Sequence, residues 1–241
     1  MSTLTALKTK LYPAKGRGHV RLGWLESYHT FSFSNFYDPQ RMGFSQLRVI
    51  NHDYIAPQGG FPNHPHQDME ILTYVLKGAL EHQDSLGNGA IIQAGDVQIM
   101  SAGTGIIHSE FNPSSTEPVE LLQIWVHPDQ PGLAPRYAQE SLAPTAKLNQ
   151  FHLIAAPPGQ GGTVTIFQDT RIFAAKLKSG HTLTQELTAS RLGWLEVAQG
   201  EVLVNDQPLQ EGDGLAVTGP GSLTLVTSTE AELLWFDLPP A

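Results

Sequence analysis

Two stretches, GFPNHPH over Gly60–His66 and GTGIIHSEFN over Gly103–Asn112, decide how this chain is read. The first sets His64 and His66 two positions apart, and the second does the same for His108 and Glu110. Side chains alternate faces along a β-strand, so residues at i and i+2 share a face, with Cα atoms roughly 7 Å apart. Two such pairs on neighbouring strands aim three imidazoles and a carboxylate into one space, which is the donor set of a transition-metal site. Pro65 keeps His64 in extended backbone and so excludes a helical His-Glu-x-x-His arrangement. Proline donates nothing to a sheet ladder, so the stretch belongs at a strand start or a sheet edge, as at the mouth of a barrel. Gly103-Thr104-Gly105 lacks the third glycine and the following helix of a phosphate loop, and reads as a tight turn feeding a strand.

Imidazole and carboxylate donors suit Fe, Mn, Ni, Cu, Co or Zn, and with no cysteine in the chain no thiolate contributes. Two glutamates compete for the carboxylate position. Glu70 lies four after His66 and shares its face on an unbroken strand, whereas Glu110 shares a face with His108. Spacing leaves open which of them ligates and which orients an imidazole. The other histidines, at 19, 29, 52, 82, 127, 152 and 181, stand isolated and read as surface or hydrogen-bonded residues. Trp24, Trp125, Trp194 and Trp235 read as core.

A length of 241 residues falls between one and two domains, and the 40% apolar content is that of a globular chain with a full core. The net charge of −9, with no Lys/Arg cluster, argues against direct binding of nucleic acid. The first residues lack the apolar centre of a signal peptide and no apolar run reaches membrane-spanning length, so a cytoplasmic location is expected.

Along the chain, residues 1–18 read as a basic lead-in, and Phe31 and Phe33 alternate with serines in strand fashion. Leu47 to Ile50 reads as a core strand, and MEILTYVLKGALEHQD as a hairpin turning near Lys77-Gly78. Two short strands flank Ala94-Gly95-Asp96, and VELLQIWVHP is a buried strand. From Asp129 to about Lys147 the composition shifts to Pro, Gln and Ala, which marks a linker with room for one short helix. Strand patterns then resume to the end, from FHLIAA to AELLWFDLP. Short strands with almost no helical periodicity predict an all-β sandwich or barrel.

The halves echo one another. Gly78 with Gly95-Asp96 is matched by Gly200 with Gly212-Asp213, which suggests two copies of one β-fold. Counting from these glycines, the second half places Glu186, Thr188, Leu225 and Thr227 where the first has His64, His66, His108 and Glu110. One half has a site and the other does not.

GFPNHPHQDMEILTYVLKG followed by GDVQIMSAGTGIIHSEFN resembles the two cupin motifs in the form found in the pirin family, and HTFSF, the YDP turn, LRVIN and LLWFDLP are similar to pirin sequences. The resemblance implies a bicupin: an N-terminal metal-binding cupin domain over 1–135 and a C-terminal cupin domain without metal ligands over 136–241. It implies His64, His66, His108 and Glu110 as ligands, where many other cupins use the glutamate of the first motif, here Glu70. Gly103 stands where the general cupin motif has proline. By this resemblance the chain is expected to be a quercetin 2,3-dioxygenase, opening a flavonol with O2 and releasing CO. Fe2+ is the expected metal ahead of Mn, Ni, Co, Cu or Zn, and Glu110 the expected base. Other expectations in the same family and fold are a metal-dependent regulatory module acting through a protein partner, as in a eukaryotic branch, and a metal-dependent isomerase.

Overall fold

The computed structural model describes residues 6–142 and 148–240, and apart from one short 3-10 turn at Ala14–Gly16 its regular structure there is all strand. In chain order the strands are β1 (Lys8–Tyr12), β2 (Gly18–Arg21), β3 (Leu25–His29), β4 (Leu47–Ile55), β5 (Gly60–His66), β6 (Glu70–Lys77), β7 (Ala79–Asp84), β8 (Gly89–Gln93), β9 (Asp96–Ser101), β10 (Ile106–Phe111), β11 (Val119–Val126) and β12 (Arg136–Ser141). They continue as β13 (His152–Ala156), β14 (Val164–Thr165), β15 (Arg171–Leu177), β16 (Thr182–Leu187), β17 (Leu192–Gln199), β18 (Glu201–Val204), β19 (Gln207–Gln210), β20 (Gly214–Thr218), β21 (Gly221–Val226) and β22 (Ala231–Leu238).

The strands form two barrels of one design. A seven-stranded sheet ordered β12-β9-β6-β11-β4-β3-β2 faces a four-stranded sheet ordered β5-β10-β7-β8. The second barrel repeats this with β1-β20-β17-β22-β15-β13-β14 and β16-β21-β18-β19. The echoed glycines are the matching hairpins: Gly78 and Gly200 both have φ of +79°, and a Cβ at either would strike a facing carbonyl, of Pro118 or Glu230. This is a bicupin, as the resemblance to pirin sequences implied.

The two large sheets pack back to back. Alternate residues of β6, β9 and β11 (Leu72, Tyr74, Ile99, Leu122, Ile124) meet Ile172, Trp194, Leu234 and Phe236 of the other half in one core. Their neighbours on the opposite face fill the first barrel, so β11 is buried on both sides and reads as a near-continuous apolar run. The second barrel is closed by its own aliphatic core, in which Leu223 and Leu225 of β21 are fully buried.

Several expectations are corrected. Residues 1–18 are not merely a lead-in, because β1 pairs with β20 of the second half. Asp129 to Lys147 is not a helical linker where it is described: β12 pairs with β9 of the first half, while 143–147 lie outside the described residues. The two sheets therefore exchange edge strands. Phe31 and Phe33 lie beyond the end of β3, with only an isolated bridge from Phe33 to Phe36, yet they still part company: Phe31 enters the core between the barrels and Phe33 faces a cavity. The strand over Thr182–Leu187 differs from its apolar neighbours in being mostly polar and exposed. Trp194 and Trp235 are buried as expected, but Trp24 and Trp125 are only partly so. No helix among the described residues is long and apolar enough to cross a membrane.

Candidate metal centre

The first barrel opens on its histidines. β5 is the edge strand of the small sheet, which is where a strand carrying Pro62 and Pro65 can sit without breaking a ladder. It pairs antiparallel with β10, His64 opposite His108 and His66 opposite Ile106, with an irregularity that brings Glu110 opposite Phe61. The one extra residue of β5 between Phe61 and His64 is taken up there as a bulge. The alternation expected from sequence is thus realised. The ligand-type nitrogens of His64, His66 and His108 all lie within 4.8 Å of one another.

Each ring is held. The Nδ1–H of His64 donates to the Pro62 carbonyl at 2.8 Å, which leaves its Nε2 with a free lone pair. His108 Nε2 is buried and has no hydrogen-bond partner. Burial and the neighbouring His64 push His66 down to about 4; burial and then His64, His66 and His82 push His108 down to about 2. Imidazoles kept neutral in this way offer lone pairs without first losing protons. Three imidazoles with an orphaned buried nitrogen among them fit a borderline divalent transition metal.

Glu110 and Glu70 take opposite sides. Glu110 is buried, receives a hydrogen bond from Gln123 Nε2 at 2.7 Å, and is pushed up to about 7, chiefly by burial. It forms a second close group with His82 and His108. Glu70 does not share the histidine face. Residues 67–69 separate β5 from β6, with Asp68 at φ +48°, and the turn sends Glu70 toward the second barrel. There it accepts from Ser101 Oγ at 2.9 Å and from the Phe167 N–H at 3.1 Å.

A cavity of about 170 Å³ adjoins these groups, walled by Phe33, Phe61 and Trp125 and floored by Asn51, Asp53 and Gln123. Trp125 meets His66 edge-on at 4.9 Å and Phe33 at 5.3 Å. Asp53, held by a hydrogen bond from Ser27 Oγ, is pushed up to about 6 by burial. Asn51 Oδ1 is buried without a partner. An aromatic-walled cavity with a few buried polar groups has the make-up of a small-molecule site. In the second barrel, Glu186 and Leu225, which the count from the glycines sets against His64 and His108, do not face each other: Glu186 is exposed opposite Ser222, and Leu225 is fully buried opposite Leu183.

The isolated reading of His82 is overturned. It is fully buried opposite Glu110, its Nδ1 is 3.4 Å from His108 Nδ1, and its Nε2 is 3.1 Å from Asp84 Oδ2. A signal was there: His82 and Asp84 are themselves two apart on a strand. Of the other histidines, His52 is buried and paired with Glu120 at 2.9 Å, and His19 meets Glu26 at 3.0 Å.

Comparison with known proteins agrees with this architecture. Residues 11–126 match the family model described as Pirin, and residues 153–238 match that of the Quercetinase C-terminal cupin domain. The chain is 46% identical over 230 residues to a quercetin 2,3-dioxygenase of Escherichia coli strain K12, covering 95% of this chain and 98% of that one. A crystal structure of the bacterial pirin YhhW from Escherichia coli in complex with nickel(II) superposes with a TM-score of 0.91 at 45% identity, covering 97% of this chain and all of that one, 100%. A quercetin 2,3-dioxygenase structure from Acinetobacter baumannii follows at TM-score 0.79 and 26% identity, over 96% of this chain and 86% of that one. With both barrels matched and the relationship spanning nearly the whole chain, this protein belongs to the pirin family.

Proposed function

We propose that the protein is a metal-dependent dioxygenase that opens quercetin-like flavonols with O2 and releases CO, acting in the N-terminal half, 1–135, with the C-terminal half, 136–241, free of metal. The observation that carries this reading is the convergence of His64, His66, His108 and the buried Glu110 on one aromatic-walled cavity. His64, His66, His108 and Glu110 are the proposed ligands. The nickel(II) complex of the Escherichia coli pirin and the 46% identity to a quercetin 2,3-dioxygenase support it. Fe2+ is the proposed native ion, although the same donors accept Ni, Mn, Co, Cu or Zn.

A bound divalent ion would supply a Lewis-acidic anchor for substrate oxygen and O2 and would acidify a flavonol hydroxyl. The chain does the rest. Phe33, Phe61 and Trp125 hold the flat ring system, and Asn51 Oδ1 accepts from one of its hydroxyls. Glu110, steadied by Gln123, takes the proton of the flavonol 3-hydroxyl. Exclusion of water by the aromatic wall strengthens each of these contacts.

The test is oxygen uptake and CO release with quercetin on protein of measured metal content, with His64→Ala and Glu110→Gln alongside. Metal-dependent uptake lost in both variants is expected. Full turnover and metal content in Glu110→Gln would remove the base role, and bound metal without uptake would remove the oxygenase reading.

A further inference from the structure

Behind His108 stands a chain of groups that the proposed chemistry does not use. Asp84 caps its own turn: the N–H groups of Leu86 and Asn88 both donate to its Oδ1, at 2.9 and 3.1 Å, and Asn88 Nδ2 bridges Oδ1 and Oδ2. Oδ2 faces His82 Nε2 at 3.1 Å, and His82 Nδ1 faces His108 Nδ1 at 3.4 Å. The His82 ring is stacked on Tyr137, with centroids 4.7 Å apart and planes at 27°, so it cannot turn freely. The side chains of His82 and Asp84 are wholly buried.

The donors and acceptors in this row have one consistent assignment. A carboxylate only accepts, so His82 Nε2 carries its proton and His82 Nδ1 is a lone pair. Facing that lone pair, His108 Nδ1 must carry the proton, and His108 Nε2 is left bare. That is the nitrogen found buried without a partner. We infer that His82 and Asp84 are positioning residues: they set the tautomer and ring orientation of His108 so that Nε2 is presented to the metal. This rests on His108 being a ligand, as proposed above. Hydrogen bonds behind a metal-bound histidine commonly matter this much, at roughly 10–100-fold in affinity.

Asp84→Asn tests the row with almost no change of shape. The two backbone N–H groups at Oδ1 require the amide oxygen to stay there, so the amide NH2 takes the Oδ2 place toward His82 Nε2 and Asn88 Nδ2 keeps only its bond to the oxygen. His82 must then accept at Nε2 and donate from Nδ1, and His108 must carry its proton on Nε2, the wrong nitrogen. The first measurement needs no variant. Long-range proton–nitrogen NMR of the metal-free, 15N-histidine-labelled full chain is expected to show His108 protonated at Nδ1 and His82 at Nε2. A His108 protonated at Nε2 overturns the inference. Ni2+ affinity by chelator competition is then expected to fall roughly 10–100-fold in Asp84→Asn, with His108 moved to the Nε2–H form in the metal-free variant. Unchanged affinity overturns it. His82→Gln, which keeps an acceptor toward His108, is expected to bind Ni2+ more tightly than His82→Phe, and the reverse order also overturns it. His64→Ala separates the two levels. If that variant binds Ni2+ as tightly as the unsubstituted protein, the metal centre itself is wrong and the role of the row falls with it. If His64→Ala loses Ni2+ while Asp84→Asn keeps it, only the positioning role falls.

Discussion

Glu196→Gln should make this protein more stable, and by an amount that depends on pH. Glu196 lies on β17 in the core between the barrels and is 1% exposed. It accepts from Trp194 Nε1 at 2.9 Å and from Thr30 Oγ1 of the first half at 3.3 Å. Burial outweighs both bonds and the nearby Arg17 charge and pushes its carboxyl from 4.5 up to about 7. Below about pH 4.5 the group is protonated whether the chain is folded or not. Between there and about 7 the folded chain keeps a proton that the unfolded chain has released, so stability falls as pH rises, and above about 7 the loss is complete. At about 1.4 kcal/mol per pH unit, the window is worth about 3 kcal/mol. Glutamine keeps an acceptor for Trp194, turns its amide toward the Thr30 hydroxyl, and carries no charge to desolvate. Urea denaturation of both proteins at about pH 5, 6, 7 and 8 reads the difference directly. Glu110 and Asp53 are also pushed up and slope the same way, but they are present in both proteins and cancel. The variant should gain steadily from pH 5 to 7 and be ahead by about 3 kcal/mol at pH 8. A difference that stays flat across this range would refute the reasoning.

Three further outcomes follow from particular contacts. Glu70→Ala should keep its full metal content, measured by mass spectrometry, while losing about 1–3 kcal/mol of stability because the Phe167 N–H is left unpaired; loss of metal would mean that Glu70 belongs to the centre after all. Gly103→Ala should cost about 1–3 kcal/mol in denaturant titration, since φ there is +47° and a Cβ would run into the Leu133 carbonyl; a neutral substitution would show that this turn is not the constraint described. Trp125→Ala should leave metal binding intact and raise KM for a flavonol roughly tenfold through lost ring contact of about 1.4 kcal/mol; a fall in kcat alone would place the substrate elsewhere.

The same Gly103 shows why part of the pattern was readable. The general cupin motif has proline at this position, but proline requires φ near −65° and this turn holds +47°, so glycine is the residue that fits. Such local demands leave a mark on single residues. So did Pro65, whose missing donor put β5 at a sheet edge, and the paired glycines at 78 and 200, which mark the same hairpin in each half. Glu70 went the other way. Its spacing from His66 was right for one face only on an unbroken strand, and the Asp68 turn breaks it.

The amino-acid sequence by itself determined the all-β class, the two-copy repeat and the paired positions of His64 with His66 and of His108 with Glu110, because period-two alternation and turn residues act over a few positions and are written in neighbouring residues. Tertiary structure alone decided which glutamate faces the histidines, that β1 and β12 cross to the other half's sheet, and that His82 and Asp84 back His108. Those are matters of which strand lies beside which. They follow from the joint burial of two sheets against each other, a condition met by the whole chain at once and carried by no short stretch of it.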